Sequence, residues 1–248
     1  MIDLLRQLSA WLPVLLVAGL LISWRGRRAV RVFGIVFTVV IAVPTYAHLV
    51  EPRILRLKTE EIWLPGAPDQ GADTIRLLVF SDIHHNDRDY SMSLKRIRNK
   101  AKGLEFDAVL IAGDLVRSLS PEGIPAAFSS LSDFGKPVYV VLGNHDVGLP
   151  GRNLGLQLTG FIQSLPGVSI LNDRTEVLNV KGRDIWISGT SEFWQRKIQY
   201  PTSEPPDGVP RLILTHNPDV AFDVPASVSS DLVIAGHTHG GQIRIPFL

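Results

Sequence analysis

The sequence predicts an α/β fold of layered sheets, preceded by an N-terminal transmembrane helical segment. Three patterns carry that expectation. Short apolar runs alternate with mixed helical stretches from residue 73 onward. Further along, the runs crowd together with only turn residues between them. Ahead of both stand two long apolar stretches without a formal charge. Alternating strands and helices mark a parallel sheet, and a later crowd of strands points to a further sheet layer.

The first element is membrane-anchoring, over residues 1–50, and is read as two helices. Gln7–Trp24 is eighteen residues without a charge, and Val32–Val50 is nineteen more. Each approaches the roughly 20 residues that cross a bilayer as a helix. The seven residues between them hold Arg25, Arg27, Arg28 and Arg31, which the positive-inside rule places in the cytoplasm. Two spans then leave both termini outside, so the expected location is the cell membrane with an extracytoplasmic C-terminal domain; Arg53, Arg56 and Lys58 after the second run pull the other way, and a domain facing the cytoplasm is the alternative. Residues 51–72 read as a linker, punctuated by Pro52, Pro65, Gly66, Pro68 and Gly71.

The domain expected over 73–248 begins with a buried strand at Ile75–Phe80. A basic helix over Ser93–Gly103 should stop at its glycine. A strand at Ala108–Ala112, a helix over Pro121–Phe134, a strand at Val138–Leu142 and a helix over Leu154–Leu165 follow. The crowded strands are Val168–Leu171, Thr175–Val180, Asp184–Ser188, Arg211–Thr215, Leu232–Ala235 and Gln242–Ile245.

Composition narrows the chemistry. The chain is 45% hydrophobic and 20% charged, which is ordinary for a folded protein. It has no cysteine, which excludes disulfides, zinc fingers, thiolate metal sites and a cysteine nucleophile. The net charge of +1 hides an asymmetry: residues 1–60 carry eight Lys/Arg against three Asp/Glu, whereas the remainder carries seventeen against twenty-one. The larger part is therefore acidic, and no nucleic-acid partner is expected.

Chemistry-bearing residues stand directly behind the apolar runs. Asp82, His84 and His85 follow the first strand. Gly113-Asp114 follows the second, and Gly143-Asn144-His145-Asp146 the third. His216 follows Arg211–Thr215, and Gly236-His237-Thr-His239 follows Leu232–Ala235. Six of the seven histidines occupy such positions. Ligands of open α/β sheets bind beyond the carboxyl ends of strands. If the chain stays extended, Asp82 pairs with His84 and His237 with His239 on one side, because alternate residues share a face. His85 should then point away. Carboxylate, imidazole and amide oxygen without sulfur suit Mn, Fe or Zn. The donors outnumber what one tetrahedral ion takes, so a pair of divalent ions fits better.

In this order the motifs Asp-x-His, Gly-Asp, Gly-Asn-His-Asp, a lone His and Gly-His-x-His resemble those of the calcineurin-like metallophosphoesterase superfamily, over roughly residues 74–245. With an apolar N-terminal segment, the Gly-His-Thr-His-Gly-Gly-Gln ending is similar to its bacterial membrane-associated phosphodiesterase-like branch. The resemblance implies a four-layered α/β/β/α sandwich. It implies that Asp82, His84 and His239 hold one metal ion, that Asn144, His216 and His237 hold the other, and that Asp114 bridges them. It implies that His145 faces the substrate phosphate and that Asp146 orients His145. The activity implied is hydrolysis of a phosphomonoester, phosphodiester or pyrophosphate by a hydroxide that the ions share, with a lipid or envelope substrate in view. The alternative is a non-catalytic metal-binding interaction module of the same fold. Members of the family usually continue through further strands, so a C-terminally shortened domain is expected from the stop at Leu248. Arg117 stands where many members carry an acidic residue and reads as a solvated turn residue. Trp63, Trp186 and Trp194 read as core or rim packing.

Overall fold

The computed structural model describes residues 11–25, 27–46, 50–51, 54–64, 74–86 and 92–240. The strand expected at Gln242–Ile245 lies outside the described residues. Internal packing divides the chain into residues 1–57 and 58–248, and the division falls inside the expected linker.

The first unit holds α1 (Leu12–Arg25) and α2 (Arg28–Thr45). They pack closely at two glycines. A Cβ on Gly34 would meet Ser23 N at 2.7 Å, and one on Gly19 would meet Thr38 Oγ1 at 2.6 Å. Away from that seam, Val17, Leu20, Phe33, Val39 and Val43 are all exposed. Among the described residues no helix is long and apolar enough to cross a membrane. The apolar runs read from sequence begin at Gln7 and end at Val50; residues 7–10 and 47–49 lie outside the described residues.

The second unit is built on two four-stranded sheets. The first has the order β1 (Leu77–Phe80), β3 (Ala108–Ala112), β5 (Val138–Val141), β6 (Val168–Ile170), and every pair is parallel. The second has the order β10 (Leu232–Ile234), β9 (Arg211–Leu214), β8 (Arg183–Gly189), β7 (Arg174–Val180). Its first two pairings are parallel, and β7–β8 is an antiparallel hairpin. A small third pairing joins β2 (His85–Asn86) to β4 (Val116–Ser118).

One core lies between the two large sheets. Leu110, Tyr139 and Val141 contribute from one side, and Leu178, Ile185, Ile187, Leu212 and Leu214 from the other. Every residue of β3 is fully buried, so this strand reads as a continuous apolar run rather than an alternating one. Truncating such a side chain, Leu110 for example, costs about 2–5 kcal/mol.

Helices α3 (Leu94–Ala101), α4 (Ile124–Phe128) and α5 (Gly155–Gln163) connect the strands of the first sheet. Ser93 caps α3, its hydroxyl accepting from Arg96 N at 3.4 Å. Leu94, Ile97 and Ala101 form the buried stripe of α3, and left-handed Gly103 follows it. The single helix expected over Pro121–Phe134 is instead broken into a 3-10 turn at Pro121–Gly123, α4, and a 3-10 stretch at Ser129–Phe134. Gly123 and Pro125 explain the break, since neither sustains a regular helical ladder. The four layers implied by resemblance are met in two sheets and one helical layer. Between the second sheet's strands the described residues add only a 3-10 turn at Phe193–Gln195 and the single turn α6 (Val220–Asp223), and Val177 stays half exposed.

Candidate metal centre

All nine expected site residues follow the carboxyl ends of β1, β3, β5, β9 and β10. The backbone there is not extended. Asp82, His84, Asp114, His237 and His239 have φ of 54°, 48°, 53°, 69° and 50°. These left-handed positions are sparsely populated by non-glycine residues and need support from their surroundings. Asp82 and His84 therefore share a site through two left-handed turns and not through strand alternation, which corrects the extended-chain reading. Main-chain bonds hold the segment: Asp82 N donates to Gly113 O at 3.0 Å and His84 N to Asp114 O at 3.0 Å.

The side chains gather in two groups. In the first, His84 Nε2 and His239 Nε2 are 3.0 Å apart, and Asp82 Oδ1 lies 3.6 Å and 3.3 Å from them. Asp82 Oδ2 is satisfied by the Ser81 hydroxyl at 2.6 Å and His237 N at 3.0 Å. Its Oδ1 is buried without a hydrogen-bond partner and faces the imidazoles. Burial would raise the Asp82 carboxyl, but His84, Ser81 and the other histidines outweigh it and bring the carboxyl down to about 2. It is ionised at neutral pH.

In the second group Asn144 Oδ1, His216 Nε2 and His237 Nδ1 lie 3.0, 3.0 and 3.1 Å from one another. Asn144 Nδ2 donates to Leu149 O at 2.6 Å, which turns Oδ1 toward the histidines. His216 Nδ1 lies 2.9 Å from Ala112 O, an obligate acceptor. The neutral ring therefore carries its hydrogen on Nδ1 and offers a lone pair at Nε2. The tight approach needs Gly113, where a Cβ would meet His216 Nδ1 at 2.7 Å.

Asp114 stands between the groups. Its Oδ2 lies 3.4 Å from His216 Nε2 and 3.6 Å from His84 Nε2, and its Oδ1 accepts from His145 N at 2.9 Å. Burial acts to raise its carboxyl, yet His216 and His84 leave it below the usual value. The same contacts raise His216, against its own burial. Candidate ion-holding sets among the described residues are Asp82 with His84 and His239, His84 with Asp114 and His145, and Asp82 with Asp114 and His216. Convergent lone pairs, with few hydrogens to share among them, form a cradle that a cation fits.

His145 is half-buried, its ring edge-on to His84 at 4.9 Å between centroids. Burial lowers its pKa, Asp114 opposing, so the ring is neutral at pH 7. Asp146 does not hydrogen-bond to His145 Nδ1, which is buried without a partner. Its oxygens instead accept from Val116 N at 2.9 Å and Gly143 N at 2.8 Å. Full burial and the Asp114 charge push the Asp146 carboxyl up to about 7. The expected orienting contact is thus replaced by a brace joining the loop after β5 to the start of β4, because main-chain donors already fill the carboxylate.

Other positions sort as follows. His85 sits in β2 with its ring edge-on to Phe128 at 6.0 Å. Arg117 is an exposed residue of β4 whose charge helps to lower His145, so it is not a simple turn residue. Trp186 lies under the Arg211 guanidinium at 5.4 Å. Trp194, read from sequence as packing, stands edge-on to His237 at 4.9 Å and is 48% exposed. A contact across forty-three positions leaves no local signal in the sequence.

A family model described as calcineurin-like phosphoesterase matches residues 75–241. Phosphodiesterase YaeI of Escherichia coli is 31% identical, over 82% of this chain and 73% of its own length. UDP-2,3-diacylglucosamine pyrophosphatase LpxG of Chlamydia muridarum is 24% identical, over 85% of this chain and 78% of its own length. A Danio rerio protein described as a transmembrane protein with a metallophosphoesterase domain is 26% identical, over 86% of this chain and 50% of its own length.

Proposed function

The chain belongs to the calcineurin-like phosphoesterase family, and from that premise we propose that it hydrolyses a phosphoester or pyrophosphate bond at a centre of two divalent ions. The observation that carries this is the position of Asp114 Oδ2, within 3.6 Å of an imidazole from each group. Asp82, His84 and His239 would hold one ion, Asn144, His216 and His237 the other, and Asp114 would be shared. Mn, Fe and Zn all suit this donor set. When bound, the ions supply Lewis acidity that lowers the pKa of water and offsets charge on the phosphoryl oxygens.

The protein's own groups orient and protonate. Asp114 keeps the two groups in register and places His145 through its main-chain N–H. His145 lies beside His84 and Asp114 and serves the leaving oxygen as acid or charge stabiliser. Its lowered pKa keeps the ring mostly neutral at pH 7, where its N–H stabilises charge by hydrogen bonding, and proton transfer to the leaving oxygen falls to the minor imidazolium form. Asp146 braces the turn that carries both Asn144 and His145. No protein nucleophile is required.

The relatives named as a phosphodiesterase and a lipid-precursor pyrophosphatase support an ester or pyrophosphate with a lipid or envelope origin. Residues 1–50 serve as a membrane anchor. Large apolar side chains cover the free faces of α1 and α2, and the hydroxyls of Ser23, Thr38 and Thr45 bond back to Leu20 O, Gly34 O and Ile41 O. Such a surface is costly in water and suits lipid. The four arginines of the loop between the helices favour a catalytic domain outside the cytoplasm, against the smaller opposing bias of Arg53, Arg56 and Lys58. Retention of the chain in carbonate-washed membranes, with its C-terminus accessible to external protease in intact spheroplasts, is the expected result; release by carbonate or protection from protease would contradict it.

The catalytic reading is tested with bis-p-nitrophenyl phosphate, using chelator-stripped full chain resupplied with Mn, Zn or Fe. Release of nitrophenol that requires the ion and is lost in Asp114→Ala is expected. A folded, ion-loaded chain that releases none would favour the non-catalytic module.

A further inference from the structure

The loop after β8 presents an aromatic ring to the metal centre. Thr190 Oγ1 bonds Thr215 Oγ1 at 2.8 Å, Thr190 N donates to Leu214 O at 3.0 Å, and Ser191 N donates to Asp173 Oδ1 at 2.8 Å. These tie the loop to the end of β9 and to the turn between β6 and β7. A 3-10 turn, Phe193–Gln195, follows. Glu192 caps it, its Oε2 accepting from Gln195 N at 3.0 Å, although this acid is only 1% exposed. Left-handed Arg196 closes the turn by donating from its N to Phe193 O at 3.0 Å.

Trp194 is the middle residue of this fastened turn. Its ring meets His237 at 4.9 Å with an interplanar angle of 86°, and about half of its surface stays open to solvent. An indole fastened beside an imidazole of the candidate metal centre, with about half of its surface open, leaves ring area for a further apolar contact next to that centre. A phosphoester held at this centre would set its phosphoryl oxygens among the histidines, and an organic group lying on the His237 side would reach the Trp194 ring, which adjoins that imidazole.

We propose that Trp194 is a specificity-determining residue, packing against an apolar or aromatic organic group of the substrate, and that Glu192 is its positioning residue. This rests on the phosphoester reading above. The site should therefore favour esters that carry such a group over esters of the same charge and reactivity that lack it.

The test uses the metal-loaded full chain and two non-hydrolysable probes, phenylphosphonate and methylphosphonate, followed by calorimetry. Trp194→Ala should weaken phenylphosphonate about three- to tenfold, the worth of one aromatic contact, and leave methylphosphonate unchanged. Trp194→Phe should restore most of the loss. Glu192→Ala should reproduce the selective loss, with Glu192→Gln recovering it through the amide oxygen. In turnover followed by release of inorganic phosphate, Trp194→Ala should raise KM for phenyl phosphate but not for methyl phosphate, with kcat preserved for both. Equal weakening of both probes would make Trp194 merely structural and overturn the proposal, as would no change in either. Wild-type protein that binds neither phosphonate would remove the phosphoester reading and this proposal together, whereas methylphosphonate binding without any phenyl preference would overturn the Trp194 proposal alone.

Discussion

Asn144 Oδ1 and His216 Nε2 lie 3.0 Å apart, and in the neutral imidazole neither atom carries a hydrogen for the other. Ala112 O takes the hydrogen of His216 Nδ1, and Leu149 O takes one from Asn144 Nδ2. In that neutral form two lone pairs are aimed at one another by partners outside the pair, whereas the proton that Asp114 favours on His216 competes with an ion for the same place. A cation between them relieves the repulsion, so ion binding and folding stability should be linked at this pair.

Chelation is therefore expected to lower the Tm of the wild-type chain, and resupplied ion to restore it. At an ion concentration of 100 times Kd the gain is about 2.7 kcal/mol per site. Asn144→Ala should lose part of that rise, and in the absence of ion should unfold about 1–3 kcal/mol more easily because Leu149 O loses its donor. Thermal melts with and without ion check both statements.

Gly143→Ala should disable the site without replacing a ligand, by displacing Asp114. An added Cβ would stand 2.2 Å from Asp114 Oδ1 and 2.5 Å from Asp114 N, and that backbone cannot yield easily. A destabilisation of about 1–3 kcal/mol in urea melts, with loss of ion-dependent turnover, is expected.

His145→Ala should separate chemistry from ion binding. Turnover should fall by about 10²- to 10⁴-fold, the usual worth of a positioned proton donor. The ion content of the purified variant should match wild type, since each ion keeps its other ligands. Lost ions in this variant would mean that His145 is itself a ligand.

Acid stability should depend on Glu204, which is not among the metal ligands. Hydrogen bonds from Ser229 lower its carboxyl, slight burial opposes, and Arg211 lowers it further. Arg211 itself is fully buried and donates to Glu204 Oε1 at 2.9 Å. A carboxyl held below its ordinary 4.5 contributes stability that is present above that pH and lost as pH falls through the folded value. Glu204→Gln should therefore be less stable than wild type at pH 7, with the difference shrinking below pH 4.5 in denaturant melts across pH.

Much of the fold was legible because buried parallel strands are continuous apolar runs. Ala108–Ala112 is an element with the bounds read from sequence, and the neighbouring strands differ by a residue or two. The two-residue β2 was not legible, since its pairing with β4 is long-range and neither has a periodic pattern. The break in Pro121–Phe134 was signalled by Gly123 and Pro125 but masked by the apolar spacing around them. At the site, the residues were legible from their places behind strands, but their geometry was not. Left-handed φ at five of them depends on main-chain bonds such as Asp82 N to Gly113 O. The partners of Asp146 are main-chain groups of Val116 and Gly143, which side-chain motifs do not encode.

The most direct test is to titrate the stripped full chain with Mn while counting bound ions by mass spectrometry and following hydrolysis of bis-p-nitrophenyl phosphate in the same samples. Turnover that rises with ion content and saturates at two ions per chain is the expected result. Saturation at a single ion, or no turnover from folded chain carrying two, would contradict a dinuclear phosphoesterase.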